Sequence, residues 1–259
     1  MTPGPTYLQF HAAFLLPAVL VMLATAFVSR PRLRGAAVWQ MGGGRRYWGG
    51  VAIITLVALV YTTPWDNYLI VQGVWSYGEG SVLATIWHAP VEEYLFILVQ
   101  PTLTALWLGH LSLPTTWPAG YGRHRGRVVG GVLAVALGVA GWQLLGTPST
   151  FYLGAIVAWA APVLAIQWLV GAPQLWFRRR AVAVGTLVPT TYLCVVDWIA
   201  IEQGIWIISD RYTTGLTVGG LPVEEATFFL VTNLFVVQGL VLYRWLTDRW
   251  FPADTDAVA

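Results

Sequence analysis

The sequence predicts an all-α integral membrane protein. Seven transmembrane helices form two parallel three-helix repeats joined by a spacer helix, with the N-terminus out and the C-terminus in. Three observations predict this. Of 259 residues, 57% are hydrophobic and only 10% charged, against about a quarter charged in soluble domains. The apolar residues fall into runs long enough to cross a bilayer core of about 30 Å. A short acidic stretch occurs twice, as Pro90-Val91-Glu92-Glu93 and Pro222-Val223-Glu224-Glu225, each opening an apolar run.

The first run, residues 6–28, is expected to remain as a helix, since it lacks the basic flank and small-residue cleavage site of a signal peptide. Runs over 48–68 and 91–111 complete a first unit, residues 1–111. A basic loop and spacer helix (128–145) occupy 112–150. Runs over 151–170, 181–201 and 224–246 form a second unit, 151–250, before a tail at 251–259. Pro17, Pro101, Pro162 and Pro189 lie inside runs, which membrane helices tolerate when neighbours re-satisfy the backbone.

The loops set the orientation. Arg30, Arg32, Arg34, Arg45 and Arg46 lie in the first, Arg123, Arg125 and Arg127 in the third, and Arg178, Arg179 and Arg180 in the fifth. Arg244 and Arg249 close the last span, so 13 of the 14 basic residues share one side, which the positive-inside rule makes cytoplasmic. Nine of the 12 acidic residues lie towards the other face: Asp66, Glu79, Glu92, Glu93, Asp197, Glu202, Asp210, Glu224 and Glu225. The chain is expected to be a multi-pass protein of the cell (plasma) membrane. One cysteine, Cys194, excludes an internal disulfide and any Cys-rich metal site.

The repeat extends beyond the acidic motif. Tyr7 and Pro17 answer Tyr152 and Pro162 at an offset of 145, while Asp66 and Trp75 answer Asp197 and Trp206 at 131. The longer first loop, with Gly42-Gly43-Gly44, accounts for the change. Two three-span units joined directly would be inverted; the spacer span restores one orientation and opens both Glu pairs onto the same face.

Proline followed by glutamate at a helix start also suits the helix dipole, at about 0.3–1 kcal/mol per charge. That reading suffices for one copy in water. At the mouth of a membrane span an ionisable group is costly and marks a functional site, and here there are two pairs. Repulsion between adjacent carboxylates and burial both favour retained protons. Asp66 and Asp197 end the second span of each unit beside Trp65 and Trp198, and read either as interfacial carboxylates or as site groups. Trp65, Trp75, Trp87, Trp198 and Trp206 keep company with the acids, and an aromatic face stabilises a desolvated cation by about 2 kcal/mol; the remaining Trp and Tyr residues read as membrane-interface belts. His88 has Gly220 as its counterpart, and His11, His110 and His124 form no metal-ligand spacing. No dinucleotide or phosphate loop appears.

At the two Pro-Val-Glu-Glu motifs with their trailing Phe residues, the chain resembles the membrane-integral lycopene cyclase family, whose halves are separate subunits in some members and fused in others. The likeness covers nearly the whole chain. It implies acid-initiated, redox-neutral closure of the ψ ends of lycopene to β-ionone rings, giving γ-carotene, β-carotene or both. It implies catalytic roles for Glu92, Glu93, Glu224, Glu225, Asp66 and Asp197. It also implies substrate contacts from Pro90, Phe96, Pro222, Phe228, Phe229, Trp65, Trp198 and Trp206. An alkene is a very weak base, so the acid must be desolvated. Burial is worth about 4–7 kcal/mol to the neutral acid, more than one cation–π contact. Water must be excluded, or it would capture the cation.

The expected partners are lycopene or another acyclic carotenoid in the bilayer, and membrane lipid; no nucleic-acid or metal site is expected. No cofactor is expected, with a non-redox flavin left open, as are oligomeric state and contacts with other carotenoid-pathway enzymes. The sequence lacks the length for the phytoene synthase domain fused to some relatives. The rival readings are a non-catalytic carotenoid-binding scaffold, a rhodopsin-like photoreceptor, a proton-coupled transporter and a carotenoid hydratase. A retinal Schiff base needs a lysine, and the chain has none.

Overall fold

The long apolar runs become seven helices in a computed structural model that describes residues 5–28, 44–111, 117 and 124–251. Arg30, Arg32, Arg34, Arg123, Gly42, Gly43 and the tail from residue 252 lie outside the described residues. The helices are α1 (Tyr7–Val28), α2 (Arg45–Gln72), α3 (Val91–His110), α4 (His124–Leu144), α5 (Phe151–Phe177), α6 (Arg179–Glu202) and α7 (Val223–Trp250). Six are long and apolar enough to cross a membrane. The exception is α3, which opens on two glutamates and carries Gln100 and Thr104 further along. It packs against α1, α2, α6 and α7, so protein rather than lipid surrounds much of it.

The chain is built of helices as expected, and its loops add one feature. The loops after α2 and α6 form six short strands: β1 (Trp75–Tyr77), β2 (Thr85–Ile86), β3 (Ala89–Pro90), β4 (Trp206–Ile208), β5 (Thr217–Val218) and β6 (Leu221–Pro222). The physical reason is backbone satisfaction, because these loops fold over the bundle end and their amides need partners. Strands β2–β3 and β5–β6 are local hairpins with equivalent registers.

The pairing between β1 and β4 joins the repeats. It is antiparallel, with Trp75 opposite Ile208, Ser76 opposite Ile207 and Tyr77 opposite Trp206. At the 131-residue offset, Trp75 corresponds to Trp206 and Tyr77 to Ile208, so the ladder maps onto itself when the halves are exchanged. That is the signature of a pseudo-twofold axis through Ser76 and Ile207. The helix ends leading into these loops match too. Gly73 and Gly204 hold φ of 73° and 66°, a left-handed turn that glycine adopts without steric penalty.

Beneath the loops, α3 and α7 cross at the centre. Tyr47, Val51, Ala105, Leu108, Val236, Val237 and Leu240 form one buried cluster. Higher up, the Asn233 side chain accepts hydrogen bonds from Gln100 Nε2 (2.6 Å) and Thr104 Oγ1, and donates to Thr190 Oγ1 (3.1 Å) and the Phe229 carbonyl (2.8 Å). The spacer α4 packs on α5 along small residues. A Cβ on Gly141 would lie 2.4 Å from the Ala158 amide nitrogen, so glycine there sets how closely the helices approach.

Candidate active site

A cavity of about 70 Å³ opens beneath the β1–β4 ladder, between the strand-bearing ends of the two repeats. Its acidic lining comes from four helices: Asp66 from α2, Glu93 from α3, Asp197 from α6 and Glu225 from α7. Aromatic walls come from Trp65, Phe96, Trp206, Phe228 and Phe229. The repeats therefore contribute equivalent carboxyls to one chamber. Asp197 lies within electrostatic range of Glu225 and Glu93, and Asp66 within range of Glu93.

The two glutamates of each motif go to different places, because adjacent residues at a helix start point about 100° apart. Glu92 and Glu224 are fully buried away from the chamber. Glu92 Oε1 accepts from the Leu83 amide at 2.9 Å. Glu224 Oε1 accepts from the Thr214 amide at 2.7 Å and its hydroxyl at 2.8 Å. Leu83 and Thr214 correspond at the 131-residue offset, so the first glutamate of each pair ties down the loop of its own repeat.

Glu93 and Glu225 face inward. Glu93 Oε1 accepts from Tyr77 Oη at 2.9 Å and Tyr7 Oη at 3.1 Å. Trp75 Nε1 donates to Tyr77 Oη at 3.0 Å, completing a relay. Burial, with Glu93 and Asp66 close by, holds the Tyr77 phenol well above its ordinary titration range, so it stays a donor. Glu225 is hydrogen-bonded by Tyr152, the counterpart of Tyr7, and Asp197 by Trp206. Glu225 Oε1, Asp66 Oδ2 and Asp197 Oδ2 are buried without a hydrogen-bond partner.

Of the remaining predicted site residues, Pro90 and Pro222 pair in the hairpins opposite Thr85 and Thr217, cap α3 and α7, and do not line the chamber. Trp198 does not line it either. It is 40% exposed, and its Nε1 would lie 3.0 Å from a Cβ on Gly220. In the first repeat Asn67 takes that place, accepting from the His88 and Ala89 amides at 2.8 and 3.0 Å.

The sequence reading did not single out Tyr7, Tyr77, Tyr152 or His11 as site residues. Tyr7 and Tyr152 carried a signal, since they already marked the repeat. His11 lines the chamber with its ring 4.4 Å from that of Tyr7; its counterpart is Ile156, so no repeat signal pointed to it. Among the described residues no cluster of His, Cys, Asp and Glu is arranged to hold a metal ion.

Comparison with known proteins follows the same two-part division. The family model described as Lycopene cyclase matches residues 6–111 and 149–246, flanking the spacer. Proteins described as lycopene beta-cyclase from two strains of Halobacterium salinarum are 53% identical over 216 residues, covering 83% of this chain and 90% of theirs. A bifunctional lycopene cyclase/phytoene synthase of Gibberella fujikuroi is 33% identical over 255 residues, covering 92% of this chain and 40% of its own. No solved structure matches.

Proposed function

The chain belongs to the lycopene cyclase family, and we propose that it is a lycopene β-cyclase that closes one ψ end at a time in the shared chamber. The observation that carries this reading is the meeting of four carboxyls and a set of aromatic faces in one pocket. That is what an alkene protonation and a transient carbocation require.

Glu225 is the acid. Of the two inward glutamates, Glu93 has two phenol donors and Glu225 has Tyr152, with its other oxygen buried and without a partner, so Glu225 is the one suited to hold a proton. The proton adds to the terminal double bond and leaves a tertiary cation. The neighbouring alkene attacks it, forming the ring carbon–carbon bond and moving the positive charge into the ring. Trp65 and Phe228, stacked at 5.8 Å and 7°, present a flat π face to that charge. Glu93, held by two phenol donors, is suited to carry negative charge; it stabilises the cation and takes the proton lost when the ring double bond forms. One proton enters and one leaves, so the product is an isomer. Between turnovers Glu93 loses its proton to solvent and Glu225 takes a fresh one from solvent, with Asp66 and Asp197 as neighbours, which resets the site. Glu92 and Glu224 act through the loops, as positioning residues.

The chain sits in the cell membrane with the chamber on the outer side, supported by the arginine-rich opposite loops. Expression in a lycopene-producing host tests the function. The reading requires γ-carotene, β-carotene or both at the expense of lycopene. Unchanged lycopene would leave a binding scaffold, and a product heavier by one water would make the chain a hydratase.

A further inference from the structure

The chamber holds only the end of a substrate whose conjugated chain must lie elsewhere. A second cavity, of about 150 Å³, continues from it, and Phe96 and Phe228 line both. Its walls are stripes at helical spacing: Tyr61, Ala58 and Ile54 on α2, Trp159, Val163 and Gln167 on α5, and Phe228, Thr232, Phe235 and Gly239 on α7. Each stripe runs inward from the chamber, and eleven residues of α7 span about 16 Å.

An aromatic ladder follows the same path. Trp65 stacks on Phe228 and on Trp159 (4.7 Å), Trp159 on Tyr61 (5.5 Å), and Phe235 leans on Trp159 (5.4 Å). Three polar donors along it are turned into the backbone. Tyr61 Oη donates to the Trp159 carbonyl at 2.8 Å, Gln167 Nε2 to that of Phe235 at 2.9 Å, and Thr232 Oγ1 to that of Phe228 at 2.9 Å. The exposed lining is therefore largely hydrocarbon and aromatic, matched to a flat, rigid, conjugated hydrocarbon.

The repeat supplies an internal comparison. Tyr192 Oη donates to the Phe14 carbonyl at 2.7 Å, the counterpart of the Tyr61–Trp159 bond. Beyond that point the halves differ. Leu15, Leu103, Leu193 and Phe229 pack there as a buried cluster with Phe96, Val99 and Met22. The counterpart of Gly239 is Trp107, whose Nε1 donates to the Val184 carbonyl of α6 at 3.1 Å. A tryptophan thus stands in one half where the other has a glycine so tightly placed that a Cβ would lie 3.0 Å from Ile54 Cδ1.

We infer that the trough between α2, α5 and α7 binds the conjugated polyene chain of the substrate, and that it is narrowest at Gly239, where Ile54 and Gln167 leave no room for a larger side chain. The inference rests on the cyclase reading. It assigns one polyene, in one direction, to a chamber with two equivalent sets of acids.

The test uses full-length chain purified in detergent from a lycopene-producing host, in a Glu225→Gln background that traps unreacted substrate. Bound carotenoid per folded protein is read by absorbance. Gly239→Trp, which installs the counterpart's residue, and the milder Val163→Phe should each lower lycopene affinity by about tenfold or more. Both should raise KM more than they lower kcat when Glu225 is intact. Unchanged affinity in folded samples of both variants would overturn the inference and leave the trough to a lipid tail. Lycopene held by the parent chain but never cyclised would sink the enzyme reading while leaving the trough standing. Ring formation undisturbed by either plug would do the reverse.

Discussion

Replacing each motif glutamate by glutamine should separate two functions that adjacent residues divide between them. Glu224 accepts two hydrogen bonds from Thr214, at 2.7 and 2.8 Å, with no solvent exposure. Hydrogen bonds to a charged acceptor contribute about 1.5–3 kcal/mol each, and neutral ones about 0.5–1.5. Glutamine keeps an acceptor oxygen but turns an amide into the place of Oε2, which has no partner. Glu224→Gln should therefore cost about 1–3 kcal/mol of stability, and Glu92→Gln somewhat less, because Glu92 Oε1 accepts a single hydrogen bond, from the Leu83 amide. Folded molecules of either variant should still form rings. Glu225→Gln leaves the fold in place but removes the donated proton, and loss of a general acid costs about 10²–10⁴ in rate. The assay is thermal unfolding in detergent alongside ring formation per folded molecule. If Glu92→Gln and Glu224→Gln abolish turnover at full stability while Glu93→Gln and Glu225→Gln retain it, the division of roles is wrong.

Three further outcomes are expected. In a Cys194→Ser background, cysteines at Glu79 and Asp210 should react with impermeant reagents only from outside, and those at Arg125 and Arg180 only from the cytoplasmic side; labelling of all four from one side would contradict the parallel repeats. Asn233→Leu strips the acceptor from Gln100 and Thr104, and should lower stability by about 1–3 kcal/mol, read as a lower unfolding temperature; an unchanged midpoint would remove the Asn233 cluster from the account of the core. With one chamber and one trough, monocyclic γ-carotene should appear first and exchange with the lipid pool, so unlabelled γ-carotene added after a pulse of labelled lycopene should dilute the label reaching β-carotene; undiluted label would mean the intermediate never leaves.

Much of the frame was legible in the sequence because hydrophobic runs and a repeat are local signals. The run 91–111 became α3 (Val91–His110), and the paired positions Asp66/Asp197 and Trp75/Trp206 marked equivalent places before any fold was known. The site itself was only half legible. Which glutamate of a pair faces inward depends on the rotation of α3 and α7 against their neighbours, which no single segment encodes. Tyr7 and Tyr77 meet Glu93 across 86 and 16 residues, a convergence that exists only once α1, α3 and the β1 loop are packed. The strands were missed because Trp75 and Trp206 stood out only as companions of the acids, and the pairing of Trp75–Tyr77 with Trp206–Ile208 is non-local. His11 and Gly239 break the repeat, and a reading built on symmetry passes over such positions.

The central claim is that a solvent-exchangeable carboxylic acid of the chamber starts the ring. Cyclisation of lycopene by the purified chain in deuterium oxide, followed by mass spectrometry and deuterium NMR of the product, tests it most directly. The account predicts one deuteron per ring, since the proton that adds comes from the acid and a different one is lost. Rings formed at a normal rate without solvent deuterium would mean internal hydrogen transfer, and would contradict it.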